Sequence, residues 1–365
     1  MPRSESAAPR DWENPQLLGR NVQPPHATLV PYPDEESALV GAPGHSPYWR
    51  SLNGEWRFCY LPHPGAAPPE FESADCFEWE SEDLVDASWD TIPVPSNWQL
   101  HGYGVPNYCN AQYPYPVDPP HVPDDNPVGI YRRTFHVPPS WEDRRVFLHF
   151  DGVDSAFYVA VNGQVVGCSK GSHLPSEFDI TSYLRPCEGS CPSENLLAVH
   201  VFQWSDGSYL EDQDKWRLSG IFRDVSLFAT PIVHMRDVAV RTQFDRSYTD
   251  GVLDLAVELR NYAAEEAKGY SVAAHLCDEG GQVVAEGRSD APSPAIRRSR
   301  WRPTCRSLRR GSGRPKSPTC TPCCFRFTGP MGVSSRFSAL QWGSGRSKGG
   351  ACRCCSMGSR SRFAE

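Results

Sequence analysis

The sequence predicts an all-β fold for residues 1–295, and three observations carry that prediction. Apolar and polar residues alternate in short runs, and almost no run has the period of a helix. The 365-residue chain is also rich in turn-forming and aromatic residues, with 35 Pro, 29 Gly, 14 Tyr and 11 Trp. Many short strands joined by frequent turns are typical of a β-sandwich or a jelly roll.

Four alternating stretches predict the strands of a first sandwich: VFLHF (146–150), AFYVAVNGQVVG (156–167), NLLAVHVFQW (195–204) and IFRDVSLFAT (221–230). The second stretch contains Asn162-Gly163, the strongest short signal for a β-hairpin. We expect a jelly-roll domain over residues 46–230, preceded by an extended N-terminal segment over residues 1–45.

A second set of alternating stretches begins after Pro231: VHMRDVAVRTQF (233–244), GVLDLAVELRNY (251–262) and YSVAAHLCDEGGQVVAEG (270–287). This pattern indicates the start of a smaller, immunoglobulin-like sandwich. It stops near residue 292 with too few strands to close. We therefore expect an incomplete sandwich over residues 231–292.

The chemical character of the chain changes at that point. Residues 296–365 contain 16 Lys+Arg, one acid and seven of the 14 cysteines, so their net charge is +15. Residues 1–295 contain 20 Lys+Arg and 43 acids, which gives a net charge of −23. The later segment has few aliphatic side chains, so it cannot bury enough apolar surface to offset its ordering entropy. We expect a disordered, basic tail over residues 293–365.

The tail holds close cysteine pairs, in PTCTPCC (318–324) and CRCC (352–355). Zinc is disfavoured because no second pair with the usual spacing follows and the tail has no His. Disulfides are disfavoured because the N-terminus has no apolar signal region, which predicts a cytoplasmic protein with reduced thiols. Neither a membrane nor a nucleic acid is expected as a partner, since no stretch is apolar enough to cross a bilayer and the aromatics of the tail are unpatterned.

Two polar loops carry the candidate chemistry. Within residues 204–225, the stretch from Trp204 to Trp216 places four carboxylates among three aromatic rings: Asp206, Glu211, Asp212 and Asp214 among Trp204, Tyr209 and Trp216. Carboxylates accept hydrogen bonds from sugar hydroxyls and rings pack on apolar C–H faces, although an acidic surface turn explains the pattern equally well. Residues 94–116, rich in Pro, Gly and Asn, indicate irregular surface structure by themselves. Two such loops on one β scaffold favour a binding site.

Six motifs together resemble one enzyme family: DWENP (11–15), SLNGEWRF (51–58), VPSNWQ (94–99), FDGVDSAFYVAVNG (150–163), LPSEFDIT (174–181) and WSDGSYLEDQDKWRLSGIFRDV (204–225). Over residues 10–290 the chain resembles the N-terminal part of the long bacterial β-galactosidases of glycoside hydrolase family 2. The resemblance implies a jelly-roll sugar-binding domain and then an immunoglobulin-like domain. In the family a catalytic (β/α)8 barrel follows, and we expect it to be absent from this chain.

The tail is interpreted as the right gene read in a wrong frame after a frameshift near residue 292. Codons for SGRPKSPTCT, QWGSGRSK and SMGSRSRFAE, read two bases later, can give WSAEEPHLYT, VGFREVE and NGVPVAVRG. These strings resemble the family's continuation towards the barrel, in the right order and in one common frame. On this interpretation the cysteine-rich composition is an out-of-frame product rather than a metal site.

The resemblance implies binding residues but no catalytic ones. Asn110 matches the family's substrate-binding Asn, and Asp214 matches an Asp that contacts galactose and helps to hold Na⁺. Both catalytic glutamates of the family lie on the barrel, so none is assigned here. The parent enzyme is expected to hydrolyse terminal β-D-galactose residues of lactose-like galactosides with retention, as a homo-oligomer. This chain is expected to supply part of the subsite and to be inactive alone.

An accessory Mg²⁺ site of the family matches Asp11, Asn14 and Asp206. Its glutamine ligand is replaced here by Lys170, and an ammonium cannot coordinate a cation. The parent is expected to use Na⁺ and Mg²⁺, and this fragment to bind neither stably.

Other functional interpretations stay open at this point. One is a non-enzymatic carbohydrate-binding module built on the jelly roll. Another is a fragment that complements a truncated partner. The simplest is a frameshift product without a function of its own.

Overall fold

The elements of the computed structural model are almost all β-strands. It describes residues 10–66, 89–110, 112–211, 214–244, 246, 251–265, 270–277, 283–290, 297–301, 320–328 and 334–343. The all-β prediction is confirmed, and these residues contain no (β/α)8 barrel. Within them, no helix is long and apolar enough to cross a membrane.

The strands in this part of the chain are β1 (Gly19–Arg20), β2 (Pro31–Tyr32), β3 (Trp49–Ser51), β4 (Gly54–Leu61), β5 (Asp90–Val94), β6 (Asn107–Tyr108), β7 (Val128–Val137), β8 (Arg145–Phe150), β9 (Ala156–Val161), β10 (Gln164–Lys170), β11 (Ser176–Asp179), β12 (Ser193–Phe202), β13 (Trp216–Arg217), β14 (Val225–Thr230), β15 (Val233–Phe244), β16 (Gly251–Asn261), β17 (Ser271–Cys277), β18 (Val283–Asp290), β19 (Arg297–Trp301), β20 (Cys320–Thr328) and β21 (Ser334–Gly343). Short helices join some of them: the α-helix α1 (Glu35–Val40) and 3-10 helices at Asp11–Glu13, Pro43–His45, Pro64–Ala66, Trp98–His101, Pro139–Trp141, Thr181–Tyr183 and Asp206–Tyr209.

The chain divides into two compact units, one of Met1–Pro25 with Ser51–Leu227 and one of His26–Arg50 with Phe228–Glu365. The first unit is a sandwich. Its sheets run in the orders β1-β10-β9-β12-β7-β4-β5 and β11-β8-β14-β3. Phe157 on β9 joins them, with ring centroids 5.1 Å from Phe150 on β8 and 6.0 Å from Phe178 on β11. The predicted jelly roll is therefore confirmed.

The alternation of β4 explains the aromatic core of this unit. Trp56 and Phe58 are buried, whereas the intervening Arg57 is exposed. Phe58 pairs with Tyr131 on β7, and their ring centroids lie 4.9 Å apart. Burying a large apolar side chain contributes about 1.5–3 kcal/mol, so this ring cluster stabilises the pairing of β4 with β7.

The predicted hairpin forms as expected. β9 ends at Val161 and β10 starts at Gln164, with Asn162 and Gly163 at φ values of 51° and 76°. Two positive φ angles are what a two-residue hairpin turn requires. The strand predicted over 221–230 is shorter, because the Ile221 carbonyl accepts a hydrogen bond from the Ser96 amide at 2.9 Å instead of a strand partner.

A titratable pair links β8 and β11. His149 lies opposite Glu177 in the register, and its Nδ1 is 3.4 Å from Glu177 Oε2. Its Nε2 lies 3.1 Å from Asp151 Oδ1. Burial by itself lowers the pKa of His149, but the hydrogen bonds and charges of the two carboxylates outweigh it and raise the pKa to about 9.

We expect the free energy of unfolding to fall as the pH rises from 6.5 to 9, because His149 loses a proton that the folded state holds more tightly than the unfolded state. The protonated imidazole stabilises the fold fully below its unfolded pKa, and the loss amounts to about 3 kcal/mol. Urea unfolding at pH 6 and pH 9.5 measures it, and His149→Gln should flatten the difference. The matched control is His136→Gln, because His136 is exposed and its Nε2 lies 3.4 Å from Glu194 Oε2. This variant should keep the pH dependence of the parent chain. Equal pH slopes in the parent and in His149→Gln would contradict the assignment.

The second unit contains the strands predicted over residues 233–290 and further strands. Its sheets have the orders β15-β16-β19 and β18-β17-β20-β21-β2. Buried aliphatic residues form its core: Leu29, Met235, Val238, Leu253, Leu255, Val257, Ala274 and Leu276. The sheets of this unit thus also contain β2, from earlier in the chain, and β19, β20 and β21, which follow residue 292.

Three segments of the tail are described as strands. β19 pairs with β16, and β20 pairs with β17, so backbone ladders exist within residues 293–365. The physical reason is that sheet edges offer unpaired N–H and C=O groups, which any extended segment can satisfy. The remaining residues of the tail, including CRCC, lie outside the described residues.

The N-terminal segment, predicted as extended over residues 1–45, contains the helix α1. Asp34 caps it, since Asp34 Oδ1 accepts a hydrogen bond from the Ser37 amide at 2.7 Å. With six residues the helix is too short to show a periodic apolar pattern.

Candidate functional site

The two polar loops singled out in the sequence meet in a two-stranded ladder. Tyr108 on β6 lies opposite Trp216 on β13, and Asn107 lies opposite Arg217. The Tyr108 and Trp216 rings are 5.5 Å apart, and both side chains are more than half exposed, at 51% and 58%. Exposed neighbouring rings of this kind offer an apolar platform beside polar groups.

Asn110 and Asp214 lie at the same end of this ladder. Asn110 follows the end of β6 by two residues, and Asp214 precedes the start of β13 by two residues, where the strands are antiparallel. Both are exposed. Asp214 Oδ1 accepts a hydrogen bond from the Tyr108 hydroxyl at 2.5 Å, which raises the pKa of that hydroxyl. We call Tyr108, Asn110, Asp214 and Trp216 the ladder surface.

Buried contacts fix the loops that carry the ladder surface. The Trp98 amide donates to the Ser219 carbonyl at 3.2 Å, and the Ser219 amide donates to Gln99 Oε1 at 2.9 Å. Buried Arg217 lies over the Tyr113 ring, with the guanidinium carbon 5.7 Å from the ring centroid. The loops therefore run side by side, and the ladder surface rests on packed structure.

Glu211 does not join the ladder surface. Its Oε1 accepts from the Ser172 amide at 2.8 Å and its Oε2 from the Ser172 hydroxyl at 2.5 Å. Both oxygens of Glu211 are thus held by a neighbouring loop. Asp212 lies outside the described residues.

A further titratable group, Asp154, lies near these loops without a local sequence signal for its burial. Asp154 lines a small cleft with Trp204, Glu211 and Lys215. Burial raises the pKa of Asp154 to about 7, Lys215 at 3.8 Å acts in the opposite direction, and Glu211 raises it further. A carboxyl that titrates near neutrality in a cleft is a feature of functional sites. The motif FDGVDSA contained the residue, but no local pattern indicated its burial.

The residues matched to the accessory metal site also come together, around Lys170. Lys170 Nζ lies 2.8 Å from both carboxylate oxygens of Asp206. It also donates to the backbone carbonyls of Asn14 at 2.9 Å and Asp11 at 3.2 Å. The side chains of Lys170 and Asp206 are each 9% exposed.

These residues do not fit a divalent cation. The ammonium of Lys170 already holds the oxygens that would face one. The Asp11 carboxylate is engaged elsewhere, since its Oδ2 accepts from Arg20 Nη2 at 2.8 Å and from the Tyr158 hydroxyl at 2.9 Å. A buried cation beside a second positive charge is unfavourable. In the described part of the chain, no three His, Cys, Asp or Glu side chains cluster as metal ligands.

Comparison with known sequences connects this architecture to one family. Residues 49–231 match the family described as glycosyl hydrolases family 2, sugar binding domain. The chain is 45% identical over 287 residues to a β-galactosidase of Pectobacterium atrosepticum, covering 78% of this chain and 26% of that protein. It is 43% identical over 282 residues to a β-galactosidase of Priestia megaterium, covering 76% and 26%. The chain thus spans about a quarter of the length of these relatives.

Solved structures share the fold. β-Glucuronidase 2 of Bacteroides uniformis matches with a TM-score of 0.60 at 19% identity, over 81% of this chain and 32% of that chain. A putative β-galactosidase of Bacteroides fragilis matches with a TM-score of 0.57 at 21% identity, over 81% and 40%. At these identities the likeness concerns the fold alone.

Proposed function

Because the chain belongs to glycosyl hydrolase family 2, we propose that it is the sugar-binding, N-terminal part of a β-galactosidase. The relatives that share 43–45% identity with it carry that name. A lactose-like β-galactoside is the proposed ligand, a homo-oligomer the proposed form of the parent enzyme, and the cytoplasm its proposed location.

The observation that carries this proposal is the composition of the ladder surface. Asp214 offers an anionic acceptor, Asn110 offers an amide that donates and accepts, and Tyr108 and Trp216 offer exposed ring surface. A pyranose presents hydroxyl groups around its edge and C–H groups on its faces. Carboxylate and amide groups suit the former and aromatic rings the latter.

The chemistry of the parent enzyme lies outside these residues. A retaining glycosidase needs a nucleophile and an acid/base carboxyl about 5–5.5 Å apart. In the proposed parent both belong to a barrel that follows this part of the chain. The ladder surface would bind the galactosyl hydroxyls, and Asp214 would also contribute an oxygen ligand to Na⁺. Magnesium at Asp11, Asn14 and Asp206 does not form part of the proposal, because Lys170 Nζ holds Asp206.

We expect Asp214→Ala to weaken binding of isopropyl β-D-thiogalactoside to this chain roughly 10- to 100-fold, because a hydrogen bond to a charged acceptor is worth about 1.5–3 kcal/mol. Ligand-observed NMR titration measures the weak affinities expected of a partial site. The gluco epimer of the ligand should bind more weakly than the galactoside to the parent chain.

The control for this test is Asp143→Ala, which removes an exposed carboxylate away from the ladder surface and should leave affinity unchanged. Equal affinity of the parent chain and Asp214→Ala for the galactoside would show that the ladder surface is only an acidic surface turn.

A further inference from the structure

Lys170 has the surroundings of a bound cation rather than of a surface lysine. Its ammonium has three N–H donors. These meet four oxygens from two segments of the chain: both carboxylate oxygens of Asp206, and the backbone carbonyls of Asn14 and Asp11. Charge-assisted hydrogen bonds of this length are among the stronger polar contacts in a protein.

The local charges balance without any added ion. Lys170 faces Asp206, and Arg20 faces Asp11 at 2.8 Å, so two positive groups meet two negative groups. A divalent ion placed among them would leave an excess of positive charge in a mostly buried place. Buried charges are tolerated only when they are paired.

The same contacts attach the N-terminal segment to the jelly roll. Trp12 stacks on Phe202 with ring centroids 4.2 Å apart. β1 pairs with β10 so closely that a Cβ on Gly167 would lie 2.1 Å from the Arg20 carbonyl oxygen. Lys170 ends β10 and reaches back to the turn at Asp11.

We propose that the Lys170 ammonium is a built-in cation that fastens residues 10–22 to the jelly roll without a bound metal. Where the family resemblance implies magnesium held by Asp11, Asn14 and Asp206, this chain supplies the positive charge covalently. The attachment therefore does not respond to magnesium or to chelators. The proposal goes beyond sugar binding and does not depend on it.

Hydrogen exchange of the full 365-residue chain, followed by mass spectrometry on peptides from residues 10–22, tests the proposal. The parent chain should show the same exchange rate in 5 mM EDTA and in 5 mM MgCl₂, concentrations taken as roughly saturating for either condition. Lys170→Met should exchange at least tenfold faster in this segment in both conditions, since Asp206 loses its partner. Lys170→Gln should exchange faster in EDTA and recover protection in MgCl₂, because a neutral amide oxygen reopens a cation site.

Three further variants calibrate the result. Gly167→Val should release the segment by a backbone clash, with no magnesium response. Arg145→Gln removes another partly buried cation, paired with Asp179, and should leave exchange of residues 10–22 at the parent rate. Lys170→Arg, which keeps the positive charge, should retain most of the protection and no magnesium response even if Lys170→Met fails to fold.

The proposal is overturned if residues 10–22 of the parent chain exchange more slowly in MgCl₂ than in EDTA. This comparison requires no variant. It is equally overturned if Lys170→Met exchanges at the parent rate, or if Lys170→Arg responds to magnesium as Lys170→Gln does.

Discussion

We expect the 365-residue chain to show no turnover of a chromogenic β-galactoside, and a gene with one frame correction near residue 292 to encode a retaining β-galactosidase. Retention requires two carboxyl groups close enough for a covalent intermediate, about 5–5.5 Å apart. In the described residues of the two loops, Glu211 is held by Ser172 and Asp214 by Tyr108. The observed contacts of each carboxylate are thus hydrogen bonds to a hydroxyl or amide group.

The frame-corrected enzyme allows a sharper comparison at the ladder surface. Asp214→Ala should lower kcat/KM roughly 10- to 100-fold, with kcat falling as well as affinity, because contacts to the hydroxyls strengthen in the transition state. Asn110→Ala removes a neutral hydrogen bond worth about 0.5–1.5 kcal/mol and should cost less. The product anomer seen by NMR reports the stereochemistry. Turnover by the uncorrected chain that Asp214→Ala abolishes would contradict the expectation, as would unchanged kcat/KM in the corrected Asp214→Ala enzyme.

Some strands could be predicted because their sequence signals lie within the strand or its turn. The Asn162-Gly163 turn fixes its hairpin through backbone conformation, and the alternation of residues 233–244 fixes β15 through its apolar face. β19, β20 and β21 could not be predicted in this way. β20 and β21 pair with each other, but β19 pairs with β16, β20 with β17 and β21 with β2, all farther away in the chain. The composition of residues 293–365 indicated too little apolar surface for folding.

For the candidate site, too, the residues could be predicted from the sequence but their arrangement in space could not. The sequence indicated two polar loops, and the resemblance indicated Asn110 and Asp214. The ladder that brings the two loops together pairs residues more than a hundred positions apart, Tyr108 and Trp216. From the sequence, Lys170 could be identified only as a residue that cannot replace the glutamine ligand of a metal site. Its role as a partner of Asp206 follows from geometry that spacing does not contain.

A large effect on stability is also expected from substitution of Trp98, the side chain that supports the loop of residues 94–116. Trp98 is fully buried, with its ring centroid 6.1 Å from that of Phe58 and 6.3 Å from that of Tyr60. Its amide also ties the loop to Ser219, next to β13. Trp98→Ala should lower the free energy of unfolding by about 3–5 kcal/mol, because the lost burial adds to the cavity left behind.

The substitution should also weaken galactoside binding under conditions where the variant remains folded, since the ladder between β6 and β13 loses the packing that positions it. Urea unfolding and the NMR titration measure the two effects. Leu100→Ala, in the same 3-10 helix but 67% exposed, is the matched control and should change stability by less than about 0.5 kcal/mol. Trp98→Phe keeps most of the apolar contact and should recover part of both losses. If Trp98→Ala is as stable as Leu100→Ala, the loop does not depend on this ring. The ladder surface must then be held by the other contacts of these loops, such as the hydrogen bonds to Ser219 and the packing of Arg217 on Tyr113.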